Sequence, residues 1–185
     1  MAETCNKPQL IIRAIKERLI PFTEEQVKAG NHVFGGIVLD KSGNIVTVGS
    51  NDRVTNPIYH GEIDTIRRFF ADKEHPNPAE CIFVASHAPC PMCISAIAWA
   101  GFHEVWVLFD YEDVKDSFDM PVDLMMYREV FGTDGAVPEN AFFKKYDLRA
   151  EAAKQQNAAE LAKDLAEIER LYGAMKVQDF NYPGM

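Results

Sequence analysis

The chain has 185 residues, of which 47% are hydrophobic, enough for one packed domain and too many for a disordered chain. The formal net charge of −9 disfavours nucleic acid as a partner, because an acidic surface repels phosphate groups. Neither an apolar run of membrane-spanning length nor a signal-peptide pattern is present, which favours a soluble, cytoplasmic protein.

The first half of the chain predicts a helical segment followed by a β-hairpin. Apolar residues recur at helical spacing over residues 8–29, where Pro21 interrupts the pattern and Thr23 offers a new N-cap. Two short helices or one kinked helix fit this segment equally well. Residues 33–40 and 44–51 are β-rich runs joined by a Gly-containing turn, which predicts the hairpin.

The second half alternates between strand and helix patterns. The patterns predict helices over 60–70, 92–100, 122–131 and 150–172, and strands over 81–86, over 104–109 and from about residue 141. A hairpin followed by this alternation indicates an α/β fold of three layers, in which helices cover a mixed sheet.

Two short motifs carry the chemistry. His60 and Glu62 begin one predicted helix, while Cys90 and Cys93 begin another. One imidazole and two thiols suit tetrahedral zinc with a fourth position left for water. Glu62, two residues from a ligand, is placed to move protons. A Cys-x-x-Cys pair also occurs in structural zinc sites and in redox pairs, but no second cysteine pair has the spacing of a structural site.

These motifs resemble the zinc motifs of the cytidine deaminase superfamily, His-x-Glu followed by Pro-Cys-x-x-Cys. The order of elements over residues 33–131 is also similar to that family. The resemblance implies a three-layer α/β/α cytidine-deaminase-like fold with a mixed five-stranded sheet. It further implies that His60, Cys90 and Cys93 bind Zn²⁺, that Glu62 shuttles protons to release ammonia, and that the chain forms a homodimer.

The resemblance also implies residues that contact the substrate. Asn51 would hydrogen-bond the heterocycle, and the carbonyl of Ala88 would accept from the leaving amino group. Asp113 and Asp119 lie in a segment that is similar to the base-binding segment of guanine deaminases. The residues around Cys90 resemble the guanine deaminase and tRNA adenosine deaminase branch, whereas His60-Gly61-Glu62-Ile63 resembles free-base cytosine deaminases.

Some residues keep two interpretations. The family branch usually carries Glu where this chain has Ala88, and His87 is equally unusual there. His87 is either a polar pocket wall or a histidine satisfied at a strand end. Phe180 and Tyr182 in the tail either close a pocket or only pack.

The sequence thus predicts a deaminase domain over residues 1–149, with a C-terminal helix and tail over 150–185 packed on the same domain or on a partner subunit. The expected function is hydrolytic, zinc-dependent deamination of a small amino-substituted heterocycle, a free nucleobase of the guanine or cytosine type. The alternatives are a tRNA adenosine deaminase and a zinc-stabilised binding module without catalysis.

Overall fold

A five-stranded sheet forms the centre of the protein, in a computed structural model that describes residues 6–111 and 121–175. Its strands are β1 (Gly35–Leu39), β2 (Ile45–Ser50), β3 (Ile82–His87), β4 (Glu104–Phe109) and β5 (Lys144–Asp147), arranged in the order β2-β1-β3-β4-β5. β1 runs antiparallel to both of its neighbours, while β3, β4 and β5 are parallel. The sheet is therefore mixed, as predicted.

Helices cover both faces of this sheet. They are α1 (Lys7–Ala14), α2 (Ile20–Lys28), α3 (Gly61–Ala71), α4 (Pro91–Trp99), α5 (Pro121–Met126), α6 (Leu148–Ala152) and α7 (Ala158–Ala174). Two π-helical turns, Ile15–Leu19 and Tyr127–Phe131, join α1 to α2 and extend α5, and Pro78–Glu80 forms a 3-10 turn. In the described part of the chain, no helix is both long and apolar enough to cross a membrane.

The central strand β3 explains the layering, because all six of its residues are buried. Ile82 and Val84 belong to a core shared with α1, α2 and α7, whereas Phe83 and Ala85 belong to a second core with α3 and α4. A strand buried on both faces needs a helical layer on each side. The three-layer α/β/α prediction is confirmed.

Two boundaries near the N-terminus differ from the sequence prediction. The chain remains helical from Lys7 to Lys28, with a π-helical turn where a break was expected. Pro21 lies in the first turn of α2, directly after the π-helical turn, where it cannot donate a hydrogen bond back to the preceding turn, so the regular helical pattern is interrupted there. Thr23 is fully buried within α2, so it is not the predicted N-cap.

Two further boundaries differ near the C-terminus. The last strand begins at Lys144, because the side-chain oxygen of Asn140 accepts from the backbone N–H groups of Phe142 and Phe143 and holds them in a turn. The helix predicted over 150–172 is divided into α6 and α7. Asn157 lies directly before α7, where its side chain accepts from Asn6.

The strand directions place the C-terminal ends of three strands at one edge of the sheet. β2 and β3 both run antiparallel to β1, so β2, β3 and β4 all end at the same edge. Asn51, Ala88 and Asp110 are the first residues after these three strands. Ligand sites of open α/β sheets lie at such an edge.

Candidate active site

The start of α3 carries His60 and Glu62. His60 is the N-cap residue, with an extended backbone, and Glu62 follows in the first turn, where it is buried. The glycine between them has a steric reason. A Cβ on Gly61 would lie 2.4 Å from the carbonyl oxygen of Phe34, so only glycine lets α3 begin this close to the start of β1.

A buried carboxylate holds the same helix end to the sheet. Asp64 is 1% exposed, and it pairs with Arg67 and Arg68 one turn further along α3. Its Oδ2 atom also accepts from the backbone N–H of Ser50, the last residue of β2, at 3.3 Å. These contacts hold the first turn of α3 beside the end of β2.

The start of α4 carries the two cysteines. Cys90 is the N-cap residue with an extended backbone, Pro91 occupies the first turn, and Cys93 is fully buried. Pro91 favours a helix start, since its fixed φ angle suits that position. The free N–H groups and the dipole at a helix N-terminus stabilise thiolate over thiol.

The two helix starts bring three possible metal ligands together. One ligand atom from each of His60, Cys90 and Cys93 lies within 4.8 Å of the others. The Cys90 sulfur is 3.6 Å from His60 Nδ1. Tetrahedral zinc, with Zn–S of about 2.3 Å and Zn–N of about 2.0 Å, separates sulfur from nitrogen by about 3.6 Å. The donor set and the spacing therefore both fit zinc.

The pKa shifts in this group show how strongly its members interact. A hydrogen bond with Cys93, aided by one with His60, lowers the pKa of Cys90 to about 4 despite its burial. Burial disfavours protonated His60, but the hydrogen bond to Cys90 and the nearby negative charges raise its pKa to about 9. Burial and the adjacent Cys90 raise the pKa of Cys93 well above its usual value.

Glu62 differs from an ordinary surface carboxylate. Burial, followed by the negative charge of Cys90, raises its pKa to about 7. A carboxyl group with this pKa exchanges protons readily near neutral pH, which is what a general acid–base needs. The predicted proton shuttle is thus buried next to the predicted ligands.

Asn51 and Ala88 directly follow β2 and β3, which flank β1 and end at the same edge of the sheet. The Asn51 side-chain oxygen accepts from the backbone N–H groups of His32 at 3.2 Å and Arg53 at 3.3 Å. These bonds orient the amide and leave its NH₂ group without a partner among the described residues. The N–H of Ala88 donates to the Phe109 carbonyl at 2.8 Å, which joins the ends of β3 and β4.

A cavity of about 280 Å³ adjoins Ala88 and Pro89 on the side of Lys145 and Asp110. It is lined by Ala88, Pro89, Asp110, Tyr111, Leu124, Asp134, Gly135, Ala136 and Lys145. His60, Cys90 and Cys93 do not line it. The cavity nevertheless reaches Ala88 and Pro89, the two residues directly before Cys90.

His87 is buried among aromatic rings. Its ring lies 4.9 Å from that of Phe34 and 5.5 Å from that of Tyr172, and the Ser86 hydroxyl is 2.9 Å from its Nδ1 atom. Burial lowers the pKa of His87 to about 3, so the ring is neutral at physiological pH. Of the two interpretations of this residue, these contacts favour the histidine satisfied at a strand end.

Several predicted residues lie outside the described residues, namely Asp113, Asp119, Phe180 and Tyr182.

The structure adds residues that the sequence did not single out. Asp123 is buried at the start of α5, and its negative charge acts on His60 and Tyr111. One helical turn later, Tyr127 points to the loop before Cys90. Their spacing of four residues on the helix predicted over 122–131 could have indicated that Asp123 and Tyr127 share one helix face.

Comparison with known families gives one clear match. Residues 13–109, more than half of the chain, match the family described as the cytidine and deoxycytidylate deaminase zinc-binding region. The guanine deaminase of Bacillus subtilis is 32% identical over 117 residues, covering 62% of this chain and 73% of that protein.

Three solved structures have a fold similar to that of this chain. The structure of the Bacillus subtilis guanine deaminase superposes with a TM-score of 0.53 at 28% identity, covering 70% of this chain and 80% of the other. A mutant protein in complex with 8-azaguanine gives 0.54 at 16% identity, covering 88% and 86%. A tRNA:A34 deaminase structure gives 0.52 at 17% identity, covering 84% and 99%.

Proposed function

The chain belongs to the cytidine and deoxycytidylate deaminase family and is a zinc-dependent hydrolytic deaminase, and we propose that its substrate is a free nucleobase of the guanine type. The observation that carries the proposal is the similarity to a guanine deaminase over 73% of that protein, combined with the His60, Cys90 and Cys93 group. The same three residues are proposed as the zinc ligands.

The chemistry divides between the metal and Glu62. Zinc bound by the two sulfurs and the imidazole would activate a water molecule by lowering its pKa to roughly 7. Glu62 would accept one proton of that water, because its own pKa is about 7 and its carboxyl is buried. Glu62 would pass this proton to a ring nitrogen as the carbon–oxygen bond forms, and would then move the remaining hydroxyl proton to the amino nitrogen, so that the carbon–nitrogen bond breaks and ammonia leaves.

Asn51 and Ala88 are proposed to orient the base. The Asn51 amide, whose oxygen is held by two backbone N–H groups, presents its NH₂ group as a donor to a ring acceptor. The Ala88 carbonyl accepts from the amino group that leaves. Asp113 and Asp119 remain proposed contacts to N–H donors of the base.

An ammonia-release screen tests the proposal. Zinc-loaded protein is offered guanine, cytosine, adenine, their nucleosides and aminated pterins and triazines. We expect guanine to give the highest kcat/KM, with Glu62→Gln lowering kcat by roughly 10²–10⁴-fold while zinc stays bound. Glu74→Gln, a change on an exposed carboxylate, is the matched control. Turnover of cytosine but not guanine would overturn the substrate assignment.

The two rival functions make different predictions. A tRNA deaminase needs a surface that attracts phosphate, and the net charge of −9 opposes this. Tight, salt-dependent binding of tRNA in a gel shift would favour that rival. A zinc-stabilised binding module has no use for a buried proton-transfer group such as Glu62, and it would release no ammonia from any base in the screen.

We further propose a homodimer that uses the outer face of α3 and α4. Trp99 is 95% exposed there, beside an apolar cavity of about 610 Å³ whose walls include Ile66, Phe70 and Ala96. Trp99 itself forms part of the wall of this open apolar surface, so a two-fold contact between identical surfaces would bury the Trp99 rings of both copies.

Domain organisation and location are proposed on similar grounds. Residues 1–149 are proposed as the deaminase domain, with 150–185 as an appended helix and tail. The burial of Leu161 and Ile168 of α7 in the core of α1 supports packing on the same domain. A cytoplasmic location is supported by the free thiols of Cys81, Cys90 and Cys93.

A further inference from the structure

The carbonyl oxygen of Pro89 accepts hydrogen bonds from two tyrosines. The hydroxyl of Tyr127 donates to it at 2.8 Å, and the hydroxyl of Tyr111 donates at 3.3 Å. Pro89 and Tyr127 are both buried. A carbonyl oxygen has two lone pairs, so these two donors satisfy it fully.

The two tyrosines come from different parts of the chain. Tyr111 follows β4, whereas Tyr127 begins the π-helical turn after α5. Their rings meet edge to face, with centroids 6.5 Å apart. π-helical turns are rare and occur often at functional sites. Two separate elements thus contact one backbone atom, the Pro89 carbonyl oxygen, which belongs to a single short loop.

That loop, residues 88–90, joins the end of β3 to the start of α4. Its first residue is anchored by the Ala88 N–H to Phe109, and its last by the Cys90 carbonyl, which accepts from Ile94 at 3.0 Å. The tyrosine hydroxyls provide the anchor at the middle residue.

The orientation of the Pro89 carbonyl determines the position of its neighbours. A peptide unit is planar, so holding this oxygen holds the nitrogen and Cα of Cys90 as well. The proline ring fixes φ at Pro89, which limits how far the Ala88 carbonyl turns on the other side. One zinc ligand and one proposed substrate contact therefore depend on the same anchored peptide.

We propose that Tyr111 and Tyr127 are positioning residues, whose hydroxyl groups together hold the Pro89 carbonyl so that the Cys90 sulfur and the Ala88 carbonyl keep their reactive positions. This inference rests on the proposed function, because it takes Cys90 as a zinc ligand and Ala88 as a substrate contact.

The test uses hydroxyl deletions in the full chain. Tyr127→Phe, Tyr111→Phe and the double variant each keep the aromatic rings. Tyr146→Phe is the matched control, since its ring stacks on Trp106 and its hydroxyl makes no described hydrogen bond. Each protein is loaded with zinc for kinetics on the base found in the screen, and with Co²⁺ for absorption spectra that report the geometry of the sulfur ligands.

We expect Tyr127→Phe to lower kcat roughly 5- to 20-fold with KM nearly unchanged, and Tyr111→Phe, with the longer bond, to lower it less. The double variant should lose more than the product of the single losses, because in each single variant the remaining hydroxyl still holds the carbonyl in part. Its Co²⁺ bands should shift, while Tyr146→Phe keeps the wild-type spectrum and kcat.

Three results would overturn the inference. If the Tyr variants lose thermal stability but keep the wild-type Co²⁺ spectrum and kcat, the hydroxyls only satisfy a buried carbonyl. If the double variant does not fold, unchanged kcat and spectra in both single variants lead to the same conclusion. If the wild-type protein shows no sulfur-to-cobalt bands, the proposed function fails first and the inference fails with it.

Discussion

At the scale of single residues, burial decides what each titratable group near the site does. Glu62 and His87 are both buried within a few residues of a proposed ligand, yet their pKa values shift in opposite directions. Burial disfavours charge in both cases, so it raises the pKa of the acid and lowers that of the base. The pKa of Glu62 therefore suits the proposed proton transfer near neutral pH, while His87 is neutral and packs among aromatic rings.

The low pKa of His87 makes stability depend on pH. Its folded pKa of about 3 lies below the unfolded value, so protons bind preferentially to the unfolded chain as pH falls below about 6.5. On lowering the pH from 7.5 to 5.5, the unfolding free energy of both proteins is measured. We expect that of His87→Gln to fall by about 1.4 kcal/mol less than that of the wild type, because the variant lacks this histidine. Urea unfolding at both pH values, with equal zinc, measures this.

His103→Gln is the control for that measurement, since His103 is exposed. It should keep the pH dependence of the wild type. An identical loss of stability in wild type and His87→Gln would show that His87 does not resist protonation in the folded protein.

Metal content tests the three ligands individually. Replacing Cys90 or Cys93 by Ser, or His60 by Ala, should weaken zinc binding by more than about 100-fold, beyond what loss of an outer hydrogen-bond partner costs. Cys81→Ser changes another buried cysteine that lies outside the group, so it should keep one zinc per chain. Chelator competition gives the affinities. Normal zinc binding by Cys93→Ser would remove Cys93 from the site.

At the scale of elements, the site consists of two helix starts that face each other. In both helices a proposed ligand is the N-cap residue with an extended backbone, at His60 and at Cys90. The sequence predicted these starts within one residue, because helical spacing and the metal motif agree at both starts. The close packing beneath α3 was not predicted, since no pattern reports the distance from Gly61 to Phe34.

That close packing gives a prediction at Gly61. A methyl group there would meet the backbone of Phe34 and Gly35, at 2.4 and 2.6 Å, and backbone atoms cannot easily yield. We expect Gly61→Ala to lower the unfolding free energy by about 1–3 kcal/mol and to weaken zinc binding, because His60 is displaced with the helix.

Gly173→Ala is the opposite case and serves as its control. Nothing lies within 4 Å of the position of its Cβ, and Gly173 is inside α7. Removing a helical glycine should raise stability by about 0.5–1 kcal/mol. Thermal or urea unfolding compares the two, and a Gly61→Ala variant as stable as wild type would contradict the steric argument.

At the scale of the whole molecule, periodicity predicted the layers and the mixed sheet, because each element has a clear period. It placed the last strand too early and missed the division between α6 and α7. The start of the last strand depends on the side-chain hydrogen bonds of Asn140, and the residue before α7, Asn157, accepts from Asn6, a contact that reaches across most of the chain. The site motif was predictable because its few ligand candidates lie in two short motifs, His60-x-Glu62 and Cys90-x-x-Cys93. The tyrosine contacts to Pro89 were not, since they join distant elements.

The exposed face of α3 and α4 gives a prediction for assembly. Light scattering should show a wild-type mass twice that of one chain, and Trp99→Ser should weaken the dimer by at least about tenfold, because aromatic anchors dominate such contacts. Phe142→Ser, at an exposed aromatic residue elsewhere, should leave the mass unchanged. A monomeric wild type would contradict the proposed dimer.

The position of the ligands in the chain has a mechanical consequence. His60 belongs to the antiparallel hairpin half with α3, whereas Cys90 and Cys93 belong to the parallel half with β3 and β4, and 30 residues separate the first two ligands. A metal held by all three is a cross-link between the two halves, closing that loop. We therefore expect zinc to change how the protein opens. With bound zinc both halves should exchange their amide hydrogens as one cooperative unit, whereas after chelation the hairpin half should exchange faster by itself, which hydrogen-exchange measurements on both forms would check.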